Sequence, residues 1–185
     1  MGLVGFIDRS EGETAEIAFA TAVQCAKLMN GVGGYQAEIH KKTRLIVIVD
    51  LPRWILDPTL NVLFKVLSLA EDIETQRVMD DEDGRRPLSY DREEYFAEYL
   101  DHAKFISTSG TDEERYAGER YADDLHRHLE RFVEVIGLER LFMILDWRAS
   151  DDICLAVEAS ERRWIFFGAS DRANTNYHRG GRSFG

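Results

Sequence analysis

The sequence predicts an α+β fold with a mixed or antiparallel sheet of about five to six strands and helices packed on it. Three observations support this prediction. Residues 45–49 form an unbroken apolar run rich in valine and isoleucine, closed by Arg44 and Asp50, which is typical of a buried strand. Residues 11–29 and 60–73 repeat apolar side chains at steps of three and four, as amphipathic helices do. Residues 140–167 contain three short apolar runs with short links, which favour an antiparallel meander.

The first part of the chain is predicted to run strand, helix, strand, strand. Residues 3–8 can form a short strand, and Ser10 with Glu13 makes a capping box that would start the helix. Residues 35–39 alternate polar and apolar side chains, so we expect a half-exposed strand there. We expect this strand to form a hairpin with residues 44–50, the central strand of the sheet.

Three helices and three strands are predicted to follow, which gives the order β-α-β-β-α-α-α-β-β-β. Asp57 followed by Pro58 is a typical helix start. Asp91 begins the next helix, and Gly137 ends the last one. The three strands after Gly137 are predicted at residues 140–147, 153–157 and 164–167.

Length and composition predict one soluble globular domain. The chain has 185 residues, of which 44% are hydrophobic and 31% charged, enough to build one core. We expect the domain to cover residues 1–168 and residues 169–185 to form a flexible polar tail containing glycine and arginine. No apolar run approaches the roughly 20 residues that span a bilayer. We therefore predict a cytoplasmic protein that needs no cofactor.

The distribution of charge gives the main functional prediction. A net charge of −11 argues against direct binding to nucleic acid or to an anionic membrane. Residues 71–101 hold 12 acidic and 4 basic side chains, a net charge of −8, with tyrosines interleaved. Carboxylates would attract a basic protein partner, and tyrosines would anchor it. The residues predicted to contact that partner are Asp80, Asp81, Glu82, Asp83, Tyr90, Asp91, Glu94, Tyr95, Glu98 and Tyr99.

We therefore predict a non-enzymatic interaction protein, of the kind that inhibits a nucleic-acid-acting partner as an immunity protein does. Carboxylates can occupy a cleft that is built for phosphates. The plainer interpretation of residues 71–101 is a solvated helix face beside an acidic loop. A third possibility is a subunit of a larger assembly that docks through its arginine-rich C-terminal tail.

A metal-dependent hydrolase, such as a phosphoesterase or nuclease, is the enzymatic alternative. Asp8, Asp50 and Asp146 each close a predicted strand. If these strands are neighbours that run the same way, their carboxylates would meet at one edge of the sheet and bind divalent metal. The simpler explanation is that an aspartate after a strand begins a turn.

Overall fold

The computed structural model describes residues 4–30, 37–57, 61–83, 91–109 and 117–170. The chain divides into two compact units. Unit 1 combines the N-terminal part of the chain, up to Val47, with the C-terminal part from Arg148 onward. Unit 2 is the continuous segment Ile48–Trp147. Unit 1 holds the sheet and unit 2 is helical, so the predicted α+β class is confirmed.

Unit 1 is built on a mixed sheet that has four strands in the described part of the chain, fewer than the five to six predicted. The spatial order is β1-β4-β3-β2. β4 runs antiparallel to both of its neighbours, whereas β2 runs parallel to β3. The strands are β1 (Val4–Glu11), β2 (Arg44–Val47), β3 (Ile153–Ser160) and β4 (Arg163–Ser170).

Helix α1 (Ala15–Asn30) covers one face of this sheet. Thr14 caps it, because the Ile17 backbone N–H donates to Thr14 Oγ1 at 3.3 Å. The predicted capping box of Ser10 and Glu13 lies too early, since β1 continues to Glu11. Buried side chains of α1 and of the sheet form one hydrophobic core together with Ile39. Its members are Ala15, Ala18, Ala22, Ala26, Ile39, Cys154, Ala156, Trp164 and Phe166.

Gly12 allows the chain to turn tightly from β1 into α1. A Cβ atom at this position would lie 2.6 Å from the backbone nitrogen of Ala18, so only glycine fits. Its carbonyl accepts the indole N–H of Trp164 at 3.1 Å, and its N–H donates to the Arg162 carbonyl at 3.0 Å. The turn is thereby tied to β4.

The predicted hairpin of residues 35–39 with residues 44–50 is wrong. Ala37–Lys41 forms a short 3-10 helix, and residues 35 and 36 lie outside the described residues. β2 is an edge strand of four residues rather than the central strand, and Val49 beyond it is 57% exposed. Five alternating residues are too few to distinguish a strand from a helical turn, and β-branched residues suit an edge strand as well as a central one.

Unit 2 consists mainly of helices. Their largest fully buried side chains include Leu67, Phe96, Phe132 and Leu141. Gly137, with φ +81°, ends α4 as predicted, and its N–H donates to the Val133 carbonyl at 2.8 Å. The helices are α2 (Val62–Glu82), α3 (Arg92–Ser109), α4 (Ala117–Ile136) and α5 (Leu138–Arg148), whose last residue belongs to unit 1.

The strand predicted at residues 140–147 is instead part of α5. The buried side chains are those of Leu141, Phe142, Ile144 and Leu145, and Met143 between them is exposed. This is the spacing of a helix rather than the alternation of a strand. Leucine, methionine, glutamate and arginine make up most of α5 as a whole, and all of them favour helix.

Within the described residues, no helix is both long enough and apolar enough to cross a membrane. The last two residues of β4 are Ala169 and Ser170, at the start of the predicted tail, and residues 171–185 lie outside the described residues. The single domain over residues 1–168 and the cytoplasmic location stay predictions.

Candidate functional site

The acidic segment folds so that the end of α2 meets the start of α3. Tyr95 is buried, and its hydroxyl donates to Asp80 Oδ2 at 3.0 Å. The other carboxylate oxygen of Asp80 accepts the side-chain N–H of Gln76 at 2.9 Å. Exposed carboxylates from both helix ends flank this contact. We call this group the acidic surface: Glu82, Asp83, Asp91, Glu93 and Glu94.

The other residues predicted to contact a partner have different environments. Tyr95 and its acceptor Asp80 belong to the α2–α3 packing rather than to an open surface. Glu98 is exposed, one turn further along α3. Tyr90 lies outside the described residues, as does the side chain of Asp81.

Tyr99 is engaged with α4. Its ring stacks on that of His126 with centroids 5.8 Å apart, and its hydroxyl lies 3.3 Å from His126 Nε2. Burial raises the pKa of the Tyr99 phenol, and the nearby charge of Asp72 raises it further. Tyr99 therefore stays a neutral phenol that packs one helix on another.

Two exposed apolar side chains accompany the acidic surface and were missed from the sequence. Val78 is 44% and Met79 53% exposed, and both lie in α2 within two residues of Asp80. The core stripe of α2 at Leu67, Ala70 and Ile73 continues toward position 77, so positions 78 and 79 point away from it. If the helical spacing of that stripe is continued into the acidic segment, it predicts that Val78 and Met79 are exposed.

Arg92 is the centre of a charged network inside unit 2. Its Nε donates to Glu74 at 2.7 Å, and its two terminal nitrogens donate to Asp146 at 3.0 and 3.2 Å. Its guanidinium carbon lies 4.2 Å from the ring centroid of Phe142. Burial alone would lower the pKa of Arg92, but the bonds to Asp146 and the charge of Glu74 outweigh it and raise the pKa. One permanent cation thus joins α2, α3 and α5.

The three aspartates of the predicted metal site occupy different structural settings. Asp8 lies inside β1 rather than at its end, and Asp146 lies on α5 bound to Arg92. Only Asp50 follows a strand, in the left-handed conformation with φ 61°. The three aspartates therefore do not stand at three strand ends. In the part of the chain that the structure describes, no three His, Cys, Asp or Glu side chains form a group that could hold a metal ion.

Asp8 is a half-buried carboxylate on an edge strand. It pairs across the sheet with Phe166, so its side chain is on the face that α1 covers. No described strand pairs with the outer edge of β1. Inward-facing charges on edge strands discourage pairing with other chains, which explains a carboxylate here without any ligand.

We expect Asp8→Asn to stabilise the protein at neutral pH. Burial raises the pKa of the Asp8 carboxyl above its ordinary value of 3.8, so the folded state holds the proton more tightly than the unfolded state does. Stability is therefore lost as the pH rises through the window from 3.8 to the raised pKa, and the cost persists at pH 7. Asparagine avoids that cost. Thermal melts should show a higher Tm for the variant at pH 7 and a much smaller gain at pH 3, below both pKa values.

Asp151→Asn provides the control, because it makes the same change at an exposed position of unit 1. It should leave the Tm within the scatter of an ordinary surface substitution at both pH values. An Asp8→Asn protein that is less stable than the wild type at pH 7 would contradict the desolvation argument.

Lys42 is a buried cation of unit 1, as is Arg148. Its ammonium donates to the carbonyls of Ser150 at 3.2 Å, of Asp151 at 2.8 Å and of Ala169. The Phe6 ring centroid lies 5.6 Å away. The ammonium uses its three N–H donors on these three carbonyls, so Lys42 holds the approach to β2, the approach to β3 and the end of β4 together.

The two cysteines have different environments. Burial raises the pKa of the Cys154 thiol to about 12; the charge of Lys42 opposes this rise and that of Asp8 adds to it. Cys154 is therefore a neutral core side chain. Cys25 is exposed on α1.

In comparisons with known proteins, no family model, no curated protein and no solved structure matches this chain. Its function has to be inferred from its own geometry. The partly exposed Arg92 and the buried Lys42 have internal partners, whereas the acidic surface is open to solvent. The acidic surface is therefore the candidate site.

Proposed function

We propose that this chain is a non-enzymatic interaction protein that binds a basic protein through its acidic surface. The observation that carries the proposal is the gathering of five exposed carboxylates where α2 ends and α3 begins. The two described arginines of the same segment, Arg77 and Arg92, pair with Glu74 at 3.6 and 2.7 Å. Their charges are directed to that internal carboxylate, so the outer carboxylates keep a strong negative field.

The exposed pair Val78 and Met79 supports a protein partner rather than a small cation. Carboxylates steer a basic surface toward the site and set its orientation, while most of the affinity comes from apolar contact that excludes water. Methionine adapts to irregular surfaces, which suits it to this role. The pair replaces Tyr95 and Tyr99, which face other helices, as the expected anchor.

The kind of partner that fits is one whose own surface is built for phosphates. A protein that acts on nucleic acid presents lysine and arginine along a cleft, and closely spaced carboxylates can fill that cleft. An inhibitor or immunity-type role follows from that fit.

We expect charge reversal of the acidic surface to weaken this binding at least tenfold. The variant is Glu82→Lys, Asp83→Lys, Glu93→Lys and Glu94→Lys, and it retains Asp91, whose Oδ1 accepts the Glu93 N–H at 3.4 Å. Immobilised wild type and variant are incubated with cell extract at about 0.05 M and about 0.5 M salt, a range over which screening lengths shorten severalfold. Captured proteins are quantified by mass spectrometry. A basic protein held by the wild type at low salt should bind the variant at least tenfold more weakly.

A matched control separates a specific surface from net charge. It carries Glu134→Lys, Glu139→Lys, Asp151→Lys and Glu161→Lys, the same change of charge at exposed positions outside the acidic surface. It should retain the partner. Equal loss of binding in both variants, or no basic protein captured at all, would overturn the proposal.

A further inference from the structure

The outer face of α1 carries an uncharged seam. Ile17, Thr21, Gln24 and Leu28 are all exposed, and they follow one another at steps of four, three and four. These are the steps between the a and d positions of a coiled coil. The opposite face of the helix packs on the sheet, so α1 is apolar on two sides.

The seam exposes large apolar side chains, and the hydroxyl of one of its polar residues bonds within the helix. Ile17 is 51% and Leu28 79% exposed, and Met29 beside Leu28 is 83% exposed. The Thr21 hydroxyl donates to the Ile17 carbonyl at 3.0 Å, so the hydrogen bond of this polar residue is made within its own helix. Leaving such side chains in water costs free energy that a second helix would recover.

The charges of α1 indicate what the second helix is. Glu16 is the acidic residue of the first turn, and Lys27 is the basic residue of the last turn. Two copies of α1 placed antiparallel bring the acidic end of each beside the basic end of the other, and their helix dipoles also oppose. A parallel arrangement would place like charges together.

The seam also matches itself under a two-fold axis. In the antiparallel arrangement Ile17 of one copy faces Leu28 of the other, and Thr21 faces Gln24. Each layer recurs on both sides of the axis, as an isologous interface requires. We propose that this chain forms a homodimer through an antiparallel pair of α1 helices, with Ile17 and Leu28 as the apolar layers at both ends.

The dimer is weak and concentration-dependent. A helix of 16 residues is about 24 Å long, so one helix pair buries less than the roughly 1,200 Å² of a standard stable interface. We expect dissociation in the micromolar range. The dimer residues all belong to α1 in unit 1, whereas the residues of the acidic surface belong to unit 2.

The test is sedimentation equilibrium of the full chain from about 1 to about 200 μM, a range chosen to bracket a micromolar Kd. The wild type should pass from monomer to dimer. Ile17→Lys with Leu28→Lys should weaken dimerisation at least tenfold. Val49→Lys with Val135→Lys should not, although these exposed apolar side chains lie elsewhere in the chain.

Disulfide trapping tests the orientation. In a Cys25→Ser background, one chain carries Thr21→Cys and a second chain of different tag length carries Gln24→Cys. An antiparallel pair yields the mixed cross-link in excess over either homodimeric cross-link. A monomer at every concentration, a dimer that the Ile17 and Leu28 substitutions leave intact, or an excess of the homodimeric cross-links would overturn the proposal.

Discussion

Replacing Lys42 with methionine should lower the free energy of unfolding by about 3 kcal/mol or more, the cost typical of leaving buried polar groups without their charged partner. Methionine keeps most of the length and apolar stem of lysine but offers no N–H. The carbonyls of Ser150, Asp151 and Ala169 would each lose a donor that is charged. Urea unfolding followed by circular dichroism measures the change.

Lys41→Met is the matched control, since the neighbouring lysine is exposed. It should change the free energy of unfolding by no more than about 0.5 kcal/mol, as surface substitutions usually do. Equal effects at the two positions would mean that the ammonium of Lys42 does not hold unit 1 together.

Replacing Arg92 with methionine should cost about 2–3 kcal/mol, in line with the loss of several hydrogen bonds between charged groups. The substitution leaves Glu74, whose side chain is 16% exposed, without the partner that lies 2.7 Å away. It also separates Asp146 on α5 from α3. Hydrogen exchange should show faster exchange of backbone amides in all three helices that Arg92 connects.

Arg127→Met tests whether any arginine in an ion pair would behave the same way. Arg127 lies 3.9 Å from Asp124 on the same helix, and both side chains are about two-thirds exposed, at 65% and 67%. Such surface pairs contribute about 0–1 kcal/mol, so this variant should melt close to the wild type. A loss as large as that of Arg92→Met would show that burial and geometry are not what makes Arg92 important.

Local patterns predicted the elements whose neighbours in sequence decide their structure. The hairpin of β3 and β4, the α4 stop at Gly137 and the α+β class all follow from short-range spacing and turn residues. The prediction of a strand at residues 140–147 was wrong because a short apolar run is compatible with either a strand or a helix. The helical spacing of its buried residues is visible only in the folded structure. The position of β2 at the sheet edge depends on pairing rather than on composition.

The hydrogen-bond partners of the charged side chains were harder to predict than the helices. Lys42 bonds to residues 108 to 127 positions away, and Arg92 to Asp146, which is 54 positions away. Nothing local distinguishes these residues from solvated lysine and arginine. The excess of acidic residues in this segment is visible in the sequence, but internal residues such as Tyr95 and Asp80 are distinguished from exposed ones only by contacts formed on folding.

In the sequence, unit 2 is inserted between β2 and β3, and this order affects how the chain can fold during synthesis. All of Ile48–Trp147 leaves the ribosome before β3, so unit 2 has its complete sequence while the sheet still lacks two strands. Val4 can pair only after Ser170, its partner at the end of the β1–β4 ladder, has been synthesised. Until then α1 has only part of its sheet to cover, and its alanine face stays open to water or to chaperones.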